Sequence, residues 1–266
     1  MTRSAFSELR DLAGLFFQLN VWLSLVTIVM VSITAMALHV PPREVGVGLV
    51  APSLLVYFVY VTERRSVPDE DVINHPYRTW LVRKYRFPLH VTEILALVAY
   101  ELLLVVTLPI RTAGGVGLMV LAHLPLVVLY FYANLKGNPG LDSLAVAVAW
   151  AYLVVFFVVV PTGIPISIEV VTVFLAWLLI VFAGVEARNV EDVQGDGRMG
   201  NETLAGWLGP TGTLALELAL KLAGVAIFWG LGGSRVALLA VFYMLLVRGS
   251  RSLTERKRYT QRNQKI

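Results

Sequence analysis

Between Glu186 and Gly209 the chain reads EARNVEDVQGDGRMGNETLAGWLG, with carboxylates at Glu186, Glu191, Asp192, Asp196 and Glu202 and guanidiniums at Arg188 and Arg198. Apolar runs long enough to cross a bilayer flank it on both sides, and charge this close to hydrocarbon is costly. Asn189, Asp192 and Asp196 follow one another at spacings of three and four, so they share one face if the preceding helix continues through them. That face would lie at a helix C-terminus, where the macrodipole is negative and further carboxylates need a cation beside them. A divalent metal is the simplest such cation.

A second cluster repeats the pattern. Glu70-Asp71-Val72 is followed by Asn74 and Arg78, as Glu191-Asp192-Val193 is followed by Asp196 and Arg198. Each follows an even-numbered apolar run, so two related helix ends would face each other and enclose one site. Carboxylates with an arginine beside each suit a diphosphate bridged by Mg²⁺, which takes oxygen ligands from one or two carboxylates plus the substrate's own phosphates. Arginine offsets the remaining phosphate charge bidentately. With an apolar bundle behind that head, the expected substrate is lipid-like, such as an isoprenyl diphosphate. Metal and cations would stabilise the leaving diphosphate, and aromatic faces the allylic cation.

The elements that must hold these residues are membrane helices. The 266 residues are 57% hydrophobic and 15% charged, and mean hydropathy is +0.73, which excludes an ordinary soluble domain. Eight continuous apolar runs are expected to be helices, at roughly 15–39, 45–62, 90–109, 116–134, 142–161, 166–188, 210–231 and 234–248. Continuous runs argue against a barrel. The first run follows a polar start without a small-residue cleavage site and reads as a retained helix.

All of the 22 Lys and Arg except Arg43, Arg111, Arg235 and Lys221 fall on one side if the chain starts in the cytoplasm, so the positive-inside rule puts both termini there in a multi-pass cell-membrane protein. The basic tail, about 249–266, reads as an anchor on anionic membrane lipids and not as a nucleic-acid site. No cysteine is present, which excludes disulfides and thiolate chemistry.

Single residues in the runs have plainer readings. Glu93 is expected to be solvated at the boundary, Glu101 to sit deeper beside a polar neighbour, and His123 to be a hydrogen-bonded core residue. Glu217 and Lys221 have the order of an i,i+4 ion pair. Trp80, Tyr85 and Phe87 belong at the interface.

The same residues resemble the UbiA superfamily of intramembrane prenyltransferases. Its second motif, D-x-x-D-x-x-x-D followed by a basic residue, glycine and T-L, matches Asn189, Asp192, Asp196, Arg198, Gly200, Thr203 and Leu204 with only the first aspartate changed. Its Y-x-x-x-K matches Tyr132 and Lys136, followed by Leu141, Asp142 and Trp150. The tail of its first motif matches Asp71, Asn74, Pro76 and Arg78.

The resemblance implies a single all-α domain over 1–266. It would be a polytopic transmembrane bundle of about eight helices, in two pseudo-repeats of four, around a central cavity open to the cytoplasmic side. It implies Mg²⁺-dependent transfer of an isoprenyl group from a prenyl diphosphate to a lipophilic acceptor. Asp71, Asp192 and Asp196 would bind metal and diphosphate, with Asn74 and Asn189 as polar support. Lys136, Arg78 and Arg198 would contact phosphate, and Tyr132 would lie beside the leaving group or nascent cation.

The front of the first motif departs, because its earlier positions fall on Glu63 and Val67. Either Glu63, Asp69 and Glu70 supply the missing oxygens, or the metal geometry is altered, or the protein is a lipid-binding member of the fold that has lost transfer. Family members usually have nine helices, against the eight runs here.

Overall fold

The computed structural model describes the backbone of residues 3–66, 75–108, 112–135, 138–198 and 202–262. Among the described residues all regular structure is helical: α1 (Arg3–Gln18), α2 (Val21–Ala37), α3 (Pro42–Val45), a 3₁₀ turn (Gly46–Leu49), α4 (Ala51–Arg65), α5 (Pro76–Lys84), α6 (Arg86–Thr107), α7 (Ala113–Ala122), α8 (Leu124–Leu135), α9 (Leu141–Thr162), α10 (Ile168–Arg198) and α11 (Leu204–Arg262).

Five stretches are long and apolar enough to cross a membrane: Pro42–Arg65, Arg86–Thr107, Leu141–Thr162, Ile168–Val190 and Leu204–Gly249. A sixth is added if Asp11–Gln18 and Val21–Ala37, bent by 53°, count as one. The chain is therefore a helical membrane protein.

The differences from the eight expected runs have local causes. The first run is broken at Asn20, which adopts a left-handed φ of 58° between α1 and α2. The fourth run is interrupted at His123, which caps α7, before Pro125 in the first turn of α8. The seventh and eighth runs lie in one helical stretch of 46 residues, about 69 Å if it were straight and far longer than a bilayer core. It is not straight. Gly233 has φ 69° and ψ −167°, and Phe228 and Tyr243 both rest edge-on against Trp177, at 5.1 and 5.2 Å. Fifteen residues of straight helix would hold those two rings about 22 Å apart. The chain folds back at Gly232-Gly233, and a side chain at Gly232 would collide with Val236.

α6 displays the logic of a lipid-facing helix. Leu89, Ala96, Tyr100 and Leu104 are buried, while Val91, Ile94, Leu95, Val98, Leu102 and Val105 are exposed, two apolar stripes at helical spacing. In water the second stripe would be a liability; in lipid it costs nothing.

The main core joins α2, α9, α10 and α11 around the fully buried Trp177. Its indole N–H donates to Thr34 Oγ1 at 2.7 Å, tying α10 to α2. Close helix approach depends on small residues: a Cβ on Gly224 would lie 2.5 Å from Ile180 Cγ1, and one on Gly48 would lie 2.6 Å from the Phe157 carbonyl oxygen. A second core joins α4, α6 and α9, and a third packs α1, α4, α5 and the start of α6.

Candidate functional site

α10 remains helical through Arg198, so positions 189, 192 and 196 do fall on one face of a continuous helix. Nothing in the sequence from Val185 to Asp192 breaks it: no proline intervenes, and Ala187, Arg188 and Glu191 are sound helix formers. The side chains of Asp192, Asp196 and Arg198 lie outside the described residues, as do Asp71, Asn74 and Lys136 entirely and the side chain of Tyr132, whose backbone is in α8. The expected rim of the central cavity falls on these residues. Among the described residues no three His, Asp or Glu side chains are close enough to hold a metal ion.

What is described is the deep wall of the site. Asn189 donates from Nδ2 to Ser143 Oγ at 3.1 Å, joining α10 to the start of α9. Asp142, in the first turn of α9, accepts from the Ser143 amide at 2.7 Å and so faces a helix N-terminus, where a carboxylate is favoured. One turn inward from Asn189, Glu186 is 1% exposed. Ser143, Asn189 and the Ala205 amide surround its carboxyl and Asp142 adds a like charge. Among the described residues no group meets either Oε atom in hydrogen-bond geometry. An unmet buried carboxyl is costly, and sequence reading gave it no role beyond its acidity. Its register with Asn189 was the available signal, since i and i+3 share a face.

The other wall comes from α4. Glu63 lies in its last turn, with Oε2 3.9 Å from Arg64 Nε. One turn earlier, the Tyr60 phenol sits where the charges of Arg188, Glu63 and Arg64 all act on it, and its ring packs near Trp150 at 6.3 Å. Arg188 belongs to α10 and Tyr60 to α4, so the charge at the end of one helix is felt at the end of the other. The Arg188 guanidinium also reaches Asn20: with that amide oriented by its hydrogen bonds, both Nη atoms donate to the side-chain oxygen, at 3.1 and 3.2 Å. Asn20 thus closes the site from the α1–α2 bend, a part the sequence gave no reason to single out.

One expectation needs correction. Glu93 is not solvated: it is 3% exposed, accepts a bidentate pair from Arg65 at 2.7 and 2.8 Å, and meets His90 Nδ1 at 2.8 Å. A carboxylate at a helix start can be buried when a guanidinium fork meets both its oxygens. Arg78 is likewise buried, only 2% exposed within α5.

The expected pairings of single residues are present. His123 Nε2 meets Glu101 Oε1 at 2.6 Å while its Nδ1 meets the Met119 carbonyl at 2.7 Å, and Lys221 pairs with Glu217. Trp80 and Phe87 are exposed near helix ends, and Tyr85 donates to Asp11 at 3.2 Å. No protein-family model, no curated protein and no solved structure matches the chain.

Proposed function

We propose that the protein is a Mg²⁺-dependent membrane prenyltransferase, taking an isoprenyl diphosphate as donor and a lipophilic acceptor that enters from the bilayer. The observation that carries this reading is that Glu63 of α4 and Arg188 of α10 both act on the Tyr60 phenol, beside the helical register of Asn189, Asp192 and Asp196. The UbiA resemblance of the motifs adds to it.

The oxygen donors of that register suit magnesium, and Glu186 stands next to them with both oxygens unmet. In this reading Asp71, Asp192 and Asp196, with Glu63, hold the metal, which when bound would offset diphosphate charge. Asn74 and Asn189 keep those carboxylates oriented. Lys136, Arg78 and Arg198 bind phosphate oxygens. The allylic C–O bond breaks and its electron pair leaves with the diphosphate. Tyr132, with the Tyr60 and Trp150 rings, shelters the carbon cation from water. The acceptor then forms a bond to that carbon and releases a proton to solvent. Both termini lie in the cytoplasm, and eight helices surround the cavity.

Purified protein with an allylic prenyl diphosphate and Mg²⁺ should release diphosphate. Asp192→Asn and Asp196→Asn should each lower turnover by about 100-fold or more while the protein still inserts and elutes as the wild type does. Wild-type turnover in either variant would refute these roles.

A second reading is favoured by Val67 and Glu63: a lipid-binding member of the fold without transferase activity. Under it the wild type is inert, and the double change Glu63→Asn and Val67→Asp creates activity. An active wild type dismisses it.

A further inference from the structure

Where α4 ends and α6 begins, Arg65, Arg86, Phe87 and His90 line an open cavity of about 360 Å³. Two of its walls are held from behind. The buried Glu93 engages Nε and Nη2 of Arg65 as a fork, at 2.8 and 2.7 Å, and the same carboxylate meets His90 Nδ1 at 2.8 Å. A guanidinium fixed in this way keeps its plane while its remaining N–H groups stay available to another acceptor. Glu93 offsets the charge of Arg65. Among the described residues that line the cavity, Arg86 is therefore the charge left over, and it faces the same space.

The depth of the cavity indicates what fills it. Arg65 is the last residue of one candidate span and Arg86 the first of the next, so the cations stand at the level where lipid phosphates lie. Phe87, 76% exposed, marks the boundary, and from it the exposed stripe Val91, Ile94, Leu95, Val98 and Leu102 runs down α6. A cationic recess that opens onto an apolar track has the form of a headgroup with its acyl chains, which free phosphate does not need. We propose that this cavity binds the phosphodiester of an anionic phospholipid, with its chains laid along α6. The cavity shares the last turn of α4 with the proposed transferase site, but its binding of lipid does not depend on the transferase reading.

The test uses the full-length protein, delipidated in detergent and titrated by native mass spectrometry with phosphatidylglycerol, phosphatidylcholine or inorganic phosphate. Phosphatidylglycerol should bind about tenfold more tightly than phosphatidylcholine, and the double variant Arg86→Gln, His90→Gln should lose that preference. Both replaced side chains are exposed and neither carries the Arg65–Glu93 pair, so the fold is expected to survive. The single variant Arg86→Gln reads the same loss if the double variant does not fold. Unchanged phosphatidylglycerol preference in the folded variants overturns the proposal. So does equal competition by inorganic phosphate, which would assign the cavity to a free anion.

Discussion

Glu186 is the residue whose chemistry is least settled by its neighbours. Among the described residues neither carboxyl oxygen has a partner in hydrogen-bond geometry, and Asp142 adds a like charge nearby. A group that served only the fold would be replaced with advantage by its amide, which keeps the size and supplies donors to the surrounding oxygens. Glu186→Gln should therefore raise stability by about 1 kcal/mol, read as the thermal midpoint in detergent, and lower prenyl-transfer turnover. A stabilised variant with full turnover would show that the carboxyl has no part in the chemistry. Asn189 has a firmer place, because its hydrogen bond to Ser143 fixes the last described turn before Asp192. Through that bond the position links α10 to α9.

At the scale of elements, the bundle is held by close approaches and a few buried polar ties, as expected where lipid removes the hydrophobic drive for helix association. Gly224→Val should push α11 off Ile180 and the Ala176 carbonyl, destabilising the protein by about 1–3 kcal/mol. Thr34→Val should leave the Trp177 indole N–H without its acceptor, at a cost of about 1–3 kcal/mol. Equilibrium unfolding in mixed micelles measures both, and a stability equal to wild type in either case would mean that the helices repack around the change. α5 is tied to α1 at the surface by Lys84 and Asp11, 2.5 Å apart. The hydrogen bond to Asp11 holds the Lys84 ammonium above the ordinary lysine value, so this tie is intact throughout the neutral range and is lost only as pH rises past that raised value.

At the scale of the whole molecule, orientation follows from where the cations fall, and the absence of cysteine makes it directly testable. Single changes Ser4→Cys and Ser252→Cys should react with an impermeant maleimide only after the membrane is opened, whereas Arg43→Cys should react in intact cells. Labelling of Ser4→Cys and Ser252→Cys from opposite sides would contradict the proposed topology. The interrupted runs bear on the same question. Asn20 and His123 each divide an apolar stretch that hydropathy alone reads as uniform, whereas Gly233 falls in the gap between the seventh and eighth expected runs.

The sequence by itself determined that this is a helical membrane protein, because backbone groups in lipid must be satisfied within each segment and composition alone reveals that demand. It also placed Asn189, Asp192 and Asp196 on one helical face, since that depends only on spacing and on a helix that nothing interrupts. Only the tertiary structure decided which helix ends meet. Tyr60 and Arg188 lie far apart in the chain, and no local rule brings α4 to α10. It likewise decided the burial of Glu93 and Arg78: a charge enters the interior only when partners from other helices meet it, and those partners are a property of packing.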